Sequence, residues 1–398
     1  MQRRHDLDAL RVIAFAFLIL YHLAMAYVAD WGWHVKSSYQ SELLQWPMLF
    51  MNRWRMSLLF LISGAAIALA GGAARPGRFA RSRTRRLLVP LLFGMAAIVP
   101  VQAYCQGVSN GLVQPGFGRF LVHYFSFQPW PKGAFDGAAE GITWNHLWYV
   151  AYLWVYTLIL MAALPLGRTA LAQRIARGFA DLRGARLLVL PALPLVLYLQ
   201  VLAPFFDATN NLTWDWFQHA EYFTVFLYGY LLARADGLWE ELARLRRRHL
   251  ALALGTFLVY GPLVMHLSEH AALWQLMLAR ALRGLYLWTA LLAVLGYARA
   301  YLDRPFRWLP YATEAVFPWY ILHQSLIVVL VFWLAPKHLG PWREPALVLV
   351  GTVLGCALLH ELLIRRVGLL RPLFGLKPAG QRSPAAAPAT LRLREDTA

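Results

Sequence analysis

The chain contains ten long apolar stretches, each close to the length that an α-helix needs to cross a membrane. About 20 residues cross the roughly 30 Å hydrocarbon layer, because an α-helix rises about 1.5 Å per residue. The stretches are residues 8–28, 53–71, 87–106, 146–165, 187–204, 218–234, 250–268, 276–298, 311–334 and 345–364. They predict an all-α, polytopic membrane protein with about ten transmembrane helices.

The composition excludes most other classes of protein. Hydrophobic residues make up 59% of the 398 residues and charged residues only 15%, whereas a soluble domain carries about 25% charged residues. Intrinsic disorder, fibrous structure and a disulfide scaffold are excluded on the same grounds. The two cysteines, Cys105 and Cys356, fit no metal-ligand spacing, and we expect neither a metal nor a permanently bound cofactor.

The net charge of +18 superficially suggests a nucleic-acid partner, but the distribution of the basic residues argues for a membrane topology instead. Of the 38 Lys and Arg, 28 lie at the N-terminus, in every second connection and in the tail, and five lie in the opposite connections. Basic residues accumulate on the cytoplasmic side of a membrane. We therefore expect both termini in the cytoplasm, membrane lipids as neighbours and no nucleic-acid partner.

Two segments outside the predicted spans have a distinctive composition. Residues 371–398 are rich in Ala, Pro and Arg, which predicts a disordered cytoplasmic tail after a membrane domain at 1–370. The connection 107–145 is rich in Gly and aromatic residues. It is long enough for a lid or a re-entrant segment.

Two ionisable residues of the first span lie on one helix face. Arg11 and His22 are eleven residues apart, which is about 20° beyond three turns and roughly 16 Å along the axis. Because ionisable groups inside a membrane are costly, this pair suggests a general base in a tunnel with a fixed cation at its cytoplasmic mouth. Alternatively, Arg11 extends to the lipid headgroups and His22 is a packed core residue.

The second span and the loop after it supply further candidates. Asn52 and Ser63 share a helix face by the same eleven-residue spacing, although Ser63 and Gly64 also fit a small-residue helix contact. Arg55 fits either an anion site or the outer membrane interface. The arginines that follow the span suit a phosphorylated cytoplasmic molecule or serve only to set the topology. They include Arg81, Arg83, Arg85 and Arg86.

Three later residues are candidates because an ionisable side chain falls inside or at the edge of a predicted span. His146 begins the fourth span, and Glu314 and His323 lie in the ninth, on different faces. Arg280 and Arg283 in the eighth span are expected to pair with an acid such as Glu314 or Glu361. Structural ion pairing is the alternative to a catalytic role for Glu314.

These residues together resemble the acyltransferase-3 family of integral-membrane acyltransferases, and within it the glucans biosynthesis protein C-like branch. The matching segments are Leu7-Asp8-Ala9-Leu10-Arg11 followed by His22, Arg55-Met56-Ser57-Leu58-Leu59-Phe60-Leu61-Ile62-Ser63-Gly64, Arg85-Arg86-Leu87-Leu88-Val89-Pro90, His146-Leu147-Trp148-Tyr149 and Tyr320-Ile321-Leu322-His323-Gln324. The family usually has Pro where this chain has Ser57. We expect that difference to touch no ionisable group.

The resemblance implies an acyltransferase, of groups other than amino-acyl groups, in a bacterial inner membrane. It implies transfer of an acyl group, succinyl or acetyl, from a cytoplasmic acyl-CoA co-substrate to a carbohydrate or glucan hydroxyl. His22 matches the family's essential histidine and Arg11 its partner, while Arg55, Asn52 or Ser63 would stabilise an oxyanion. A transporter or flippase for a sugar or a lipid-linked sugar, and a non-catalytic scaffold, are the competing hypotheses.

Overall fold

The computed structural model describes residues 4–268 and 270–378. It is 74% helical, and no β-strand occurs in the described part of the chain. From residue 379 onward the predicted tail lies outside the described residues. Sixteen α-helices follow one another within these bounds. They are α1 His5–Met25, α2 Gln45–Asn52, α3 Arg55–Leu69, α4 Pro76–Phe93, α5 Pro100–Ser109, α6 Phe117–Tyr124, α7 Trp148–Ala163, α8 Ala170–Ala180, α9 Gly184–Val189, α10 Ala192–Val201, α11 Trp216–Leu232, α12 Asp236–Met265, α13 Leu273–Tyr301, α14 Leu309–Leu334, α15 Arg343–Leu358 and α16 Leu370–Leu373.

Eight helical segments within the described residues are long and apolar enough to cross a membrane. They are His5–Met25, Pro76–Ser109, Asn145–Arg168, Gly184–Val201, Asp236–Met265, Leu273–Tyr301, Leu309–Lys337 and Arg343–Ile364. The predicted all-α, multi-pass membrane fold is therefore confirmed. The other two predicted positions are occupied by α3 and α11, which are shorter, at 15 and 17 residues.

The short helices α3 and α11 pack directly against each other through two glycines. A Cβ atom added to Gly64 would lie 1.9 Å from the carbonyl oxygen of Phe226, and one added to Gly229 would lie 1.9 Å from that of Leu61. The backbones thus approach more closely than any side chain permits, as small residues allow in membrane helix pairs. The small-residue interpretation of this part of the sequence is confirmed at Gly64.

A π-helical turn joins α4 to α5 inside one membrane segment. It covers Gly94–Ile98, and α5 begins at Pro100. Proline has no N–H and its ring clashes with the preceding turn, so a wider turn accommodates it without ending the helix. The amide of Val99 donates to the carbonyl of Gly94 at 2.8 Å, which satisfies the backbone at the junction.

The connection 107–145 folds into a packed layer around α6. Phe120, Tyr124 and Phe135 are buried in its own small core. The Tyr124 hydroxyl lies 3.3 Å from the carbonyl of Met95 and 3.2 Å from that of Thr143, which ties the layer to α4–α5. Burial raises the pKa of Tyr124 to about 12, so its hydroxyl stays protonated and keeps donating near neutral pH.

Candidate active site

A cavity of about 940 Å³ lies between the layer 107–145, the loop before α11 and the helices α1, α7 and α14. By the predicted topology these two connections lie on the non-cytoplasmic side. Four tryptophans stand in the cavity wall, Trp33, Trp144, Trp148 and Trp214. The polar side chains of the wall include His22, His34, Arg55, Asp136, Glu140, Asn145, His146, Asn211 and Gln324. A large aromatic cavity with a few convergent polar groups is typical of a small-molecule site.

His22 of α1 and His323 of α14 form a hydrogen-bonded pair beside this cavity. The His22 Nδ1 atom lies 2.8 Å from His323 Nε2. His323 Nδ1 lies 2.7 Å from the carbonyl oxygen of Tyr320 and 3.1 Å from that of Trp319. Because a carbonyl only accepts, His323 Nδ1 carries the proton and its Nε2 accepts from His22 Nδ1–H when both rings are neutral. This assigns an unprotonated Nε2 to His22.

The free nitrogen of His22 is the one available for proton transfer. The hydrogen bond of the His22 side chain among residues 4–268 and 270–378 is made by Nδ1, so Nε2 stays open, and the residue lines the cavity. A fixed tautomer with an open lone pair toward a cavity is the arrangement that a general base requires. His323 is fully buried and orients His22 rather than facing the cavity itself.

His146 has both ring nitrogens engaged. Its Nε2 lies 3.1 and 3.2 Å from the carbonyl oxygens of Tyr320 and Ile321 and therefore donates, so Nδ1 accepts from the Gln102 amide at 3.3 Å. The Tyr320 hydroxyl in turn donates to the carbonyl of His146. His146 therefore joins the start of α7 to α14, and both of its ring nitrogens are hydrogen-bonded in the described structure.

Arg55 is the member of the predicted oxyanion set that lines the cavity. Its guanidinium carbon lies 3.3 Å from the centre of the Tyr21 ring, and its Nε and Nη1 atoms are buried without a hydrogen-bond partner in the part of the chain that is described. Ser63 instead shares a hydrogen bond of 2.7 Å with the Tyr149 hydroxyl. Neither Ser63 nor Asn52 is among the lining residues. Unpaired guanidinium N–H groups suit a developing negative charge.

A second polar network in the cavity wall was not predicted from the sequence. The Gln324 amide lies 3.0 Å from His34 Nε2 and 2.9 Å from the Asn145 amide oxygen. His34 Nδ1 lies 2.7 Å from the Gln106 side-chain oxygen and 3.4 Å from an Asp136 carboxylate oxygen. Asn145 adopts a left-handed backbone conformation with φ of 48°, and its Nδ2 is buried without a partner among the described residues.

The predicted donor arginines lie apart from the cavity. Arg83 is close enough to Arg11 and Arg86 for their charges to interact. Arg11 and Arg83 are also close enough to the Tyr149 hydroxyl for their charges to interact with it. Arg11 also approaches the Asp8 carboxylate at 3.9 Å. None of the predicted donor arginines, nor Arg11, is among the cavity-lining residues of the described structure.

Two tyrosines connect the cluster of Arg11, Arg83 and Arg86 with the cavity. Tyr149 is the one nearest the arginines, and its ring centre lies 6.2 Å from that of Tyr320, which lines the cavity. Phe15 packs against Tyr320 at 5.3 Å. The rings of Phe15, Tyr149 and Tyr320 therefore form a contiguous aromatic layer that extends from the arginines to the cavity wall.

Comparison with known families identifies the chain. The family model for an acyltransferase domain, acyltransferase-3, matches residues 4–361. The chain belongs to the acyltransferase-3 family. Neither the curated proteins nor the solved structures contain a significant match to it. The eight apolar helices and the family together make it a multi-pass membrane acyltransferase, and the transporter hypothesis is not favoured.

In this acyltransferase-3 protein, Ser57 stands where we expect the family to have proline. Its contacts correct the expectation that this difference touches no ionisable group. The Ser57 hydroxyl donates to the Glu221 carboxylate at 2.8 Å, so the expectation that it touches no ionisable group is wrong. Glu221 is also 3.8 Å from the Arg283 guanidinium. Both Ser57 and Glu221 are buried, and they join α3 and α11 to α13.

The expected partner of Arg283 was also wrong. Arg283 pairs with Glu221 rather than with Glu314 or Glu361. Glu314 contacts Arg365 at 3.3 Å and Arg371 at 3.8 Å. The acyltransferase thus holds Glu314 in an ion-pair cluster at the predicted cytoplasmic end of α14, and the structure does not bring it to the cavity.

The described part of this acyltransferase offers no evident metal centre. Among residues 4–268 and 270–378, no three His, Cys, Asp or Glu side chains gather in a group that could hold a metal ion. The polar atoms that remain open beside the cavity include those of the His22 imidazole, the Arg55 guanidinium and the Asn145 amide. These groups suit proton transfer and stabilisation of an oxyanion.

Proposed function

We propose that this protein is an O-acyltransferase of a bacterial inner membrane. It transfers an acyl group, succinyl or acetyl, from a cytoplasmic acyl-CoA to a hydroxyl of a carbohydrate or glucan on the other side. The family membership supports acyl transfer in general. The observation that carries the finer proposal is the His22–His323 pair, which leaves His22 Nε2 unprotonated beside a large cavity.

In this proposal His22 is the general base. A sugar hydroxyl is a weak nucleophile at neutral pH, and removal of its proton as it attacks the thioester carbonyl makes the attack feasible. The hydroxyl oxygen bonds to the carbonyl carbon while its proton moves to His22 Nε2. The positive charge that develops on the imidazole strengthens the hydrogen bond from His22 Nδ1–H to His323. His323 acts as the positioning residue, with its own Nδ1–H fixed by the Tyr320 carbonyl.

The tetrahedral intermediate then collapses. Its oxyanion is placed at the free N–H groups of Arg55, with the Asn145 amide as a second donor. The carbon–sulfur bond breaks, the thiolate of coenzyme A leaves, and the proton held by His22 passes to it. The ester remains on the acceptor, and His22 returns to its neutral form without any cofactor.

The two substrates are proposed to approach from opposite sides. The tryptophans and polar side chains of the cavity suit a carbohydrate, whose faces are partly apolar and whose rim carries hydroxyls. The phosphates of the donor fit the cluster of Arg11, Arg83 and Arg86, and the thioester would extend about 16 Å from Arg11 to His22. Because the aromatic layer of Phe15, Tyr149 and Tyr320 extends along that path, the donor displaces the ring of Tyr149 or Tyr320 when it binds.

The test is transfer of radiolabelled acetyl-CoA or succinyl-CoA to a glucan oligosaccharide by the detergent-purified protein. In detergent there are no compartments, so label on the sugar excludes pure transport. We expect His22→Ala to lower kcat by about 10²–10⁴-fold. The matched control is His266→Ala, because His266 is exposed, directly follows α12 and does not line the cavity of the described structure. Wild-type turnover by His22→Ala would contradict the assignment of the base.

A further inference from the structure

A second, smaller cavity of about 110 Å³ lies between α1 and α3. We call it the apolar slot. Its wall is made mainly by side chains of these two helices, including Ile13, Ala14, Phe17, Leu18, Arg55 and Leu58. Phe17 is 45% exposed, so the slot begins near the lipid-facing surface of α1 and runs inward to Arg55.

The apolar slot and the large cavity share part of their walls. Arg55 and Leu18 line both, so the slot and the large cavity adjoin at these two side chains, and Leu18 lies one turn of α1 from His22. The Nε and Nη1 atoms of Arg55 have no hydrogen-bond partner among the described residues. Because buried N–H groups are normally hydrogen-bonded, these two atoms are suited to an acceptor that binds during function.

We propose that the apolar slot holds the hydrocarbon tail of the donor's acyl group, an inference that rests on the proposed acyltransferase function. Four groups surround the thioester carbonyl carbon when it is attacked: its oxygen, the sulfur of coenzyme A, the acyl tail and the attacking hydroxyl. Its oxygen lies at the Arg55 N–H groups, and the attacking hydroxyl comes from the large cavity beside His22. The tail then enters the slot, which opens from the same arginine.

The lining of the slot distinguishes the tail from other parts of the donor. Among its described lining residues the polar groups are Arg55 and the Trp54 indole, whose N–H already donates to the Tyr286 hydroxyl at 3.2 Å. The amides of the pantetheine arm would be buried there without partners, and a terminal carboxylate would lose its hydration without compensation. The slot therefore favours an uncharged acyl group over succinyl, which narrows the acyl group of the proposed function to the uncharged class.

The volume of the slot sets the length of the tail. An apolar cavity of about 150 Å³ holds one benzene molecule, that is about six carbons, so a slot of about 110 Å³ holds about four. Each buried methylene contributes about fourfold to binding. We therefore expect kcat/KM to rise by up to about 60-fold from acetyl-CoA to pentanoyl-CoA, and succinyl-CoA to be a poorer donor than the uncharged butyryl-CoA.

The experiment compares kcat/KM for acetyl-, butyryl-, pentanoyl- and succinyl-CoA with a glucan oligosaccharide as acceptor. Ala14→Leu fills the slot and should lower the pentanoyl-to-acetyl ratio by about tenfold or more, while Leu58→Ala enlarges it and should raise the rate with heptanoyl-CoA relative to pentanoyl-CoA. Ile159→Phe is the matched control, because Ile159 is 45% exposed on α7 and lines neither cavity. Its ratios should equal those of the wild type.

A second measurement does not depend on the acceptor or on the variants. A pentanoyl-CoA that carries a diazirine at the end of its tail is photolysed with the wild-type protein, and the labelled peptides are identified by mass spectrometry. We expect label on α1 and α3. Label confined to the tryptophan-bearing segments of the large cavity would overturn the slot assignment.

The outcomes separate this inference from the proposed function. Absence of transfer from every acyl-CoA, acetyl-CoA included, would contradict the acyltransferase proposal itself. Transfer at equal rates from acetyl- and pentanoyl-CoA, unaltered in Ala14→Leu, would overturn the slot assignment and leave the proposed function standing.

Discussion

The hydrogen bond between His22 and His323 gives the most direct test of the proposed chemistry. Replacing His323 with Leu removes the acceptor for His22 Nδ1–H and leaves that buried N–H without a partner. The imidazole then loses its fixed tautomer as well as the hydrogen bond that strengthens when it becomes charged. His323 is fully buried, so water does not readily replace it.

The size of the effect follows from the cost of one unpaired buried donor. That cost is about 1–3 kcal/mol, which corresponds to a decrease in kcat of about fivefold to 150-fold. KM for both substrates should stay near the wild-type value, because His323 does not line the large cavity. His323→Gln retains an acceptor oxygen and should restore kcat to within about tenfold of the wild type.

The assay is initial-rate transfer of labelled acyl groups by purified protein, with kcat and KM measured separately. Ser325→Ala is the matched control, since it also removes buried hydrogen bonds from α14, here to the Ile98 carbonyl at 2.9 Å and from the Gln102 amide at 2.6 Å, and leaves the His22–His323 contact intact. Its kcat should remain close to the wild-type value. An unchanged kcat in folded His323→Leu would refute the view that His323 sets the tautomer of the base.

Two further predictions concern the arginine cluster and the buried ion pair. Replacing Arg83 and Arg86 together with Gln should raise KM for acyl-CoA by about tenfold or more with kcat unchanged; an unchanged KM in correctly inserted protein would show that these arginines only set the topology. Glu221→Ala should lower the free energy of unfolding by about 3–5 kcal/mol, because it leaves the Arg283 charge buried and unpaired, and Ser57→Ala by about 1.5–3 kcal/mol. Thermal unfolding in detergent measures both, and losses that add fully in the double variant would show that the two groups are not coupled.

The sequence predicted the helices better than it predicted their partners. Apolar runs and basic loops reveal membrane helices because each span must by itself be apolar over the thickness of the hydrocarbon layer, and each cytoplasmic loop is enriched in Lys and Arg. Ion pairs inside the membrane depend instead on which helices become neighbours. Arg283 was assigned to Glu314 or Glu361 because these acids lie in predicted spans. In the structure, α11 instead brings Glu221 next to Arg283. Glu221 lies near the start of the predicted span 218–234, and the order of the spans along the chain does not reveal that this one packs close to Arg283.

The candidate site could be predicted in part. The eleven-residue spacing singled out His22, and His323 was named on its own, but their pairing depends on how α1 packs against α14. Arg11 shares the predicted face with His22 and yet belongs to a different region, because the helix is long enough to separate the two by about 16 Å. His34 and Asn145 escaped notice, since each is a single polar residue in a connection with no periodicity to mark it.

The helix α14 links all parts of the proposed mechanism. Its first turns hold Glu314 against Arg365, its middle carries Tyr320 and His323, and the next residue, Gln324, contacts His34 and Asn145 in the cavity wall. Tyr320 belongs at once to the aromatic layer and, through its carbonyl, to the hydrogen bond that fixes His323. A donor that displaces the Tyr320 ring therefore acts on the same turn of helix that sets the tautomer of His22. In the proposed mechanism, entry of the donor and orientation of the base are in this way coupled through the turn of α14 that carries the Trp319 and Tyr320 carbonyls.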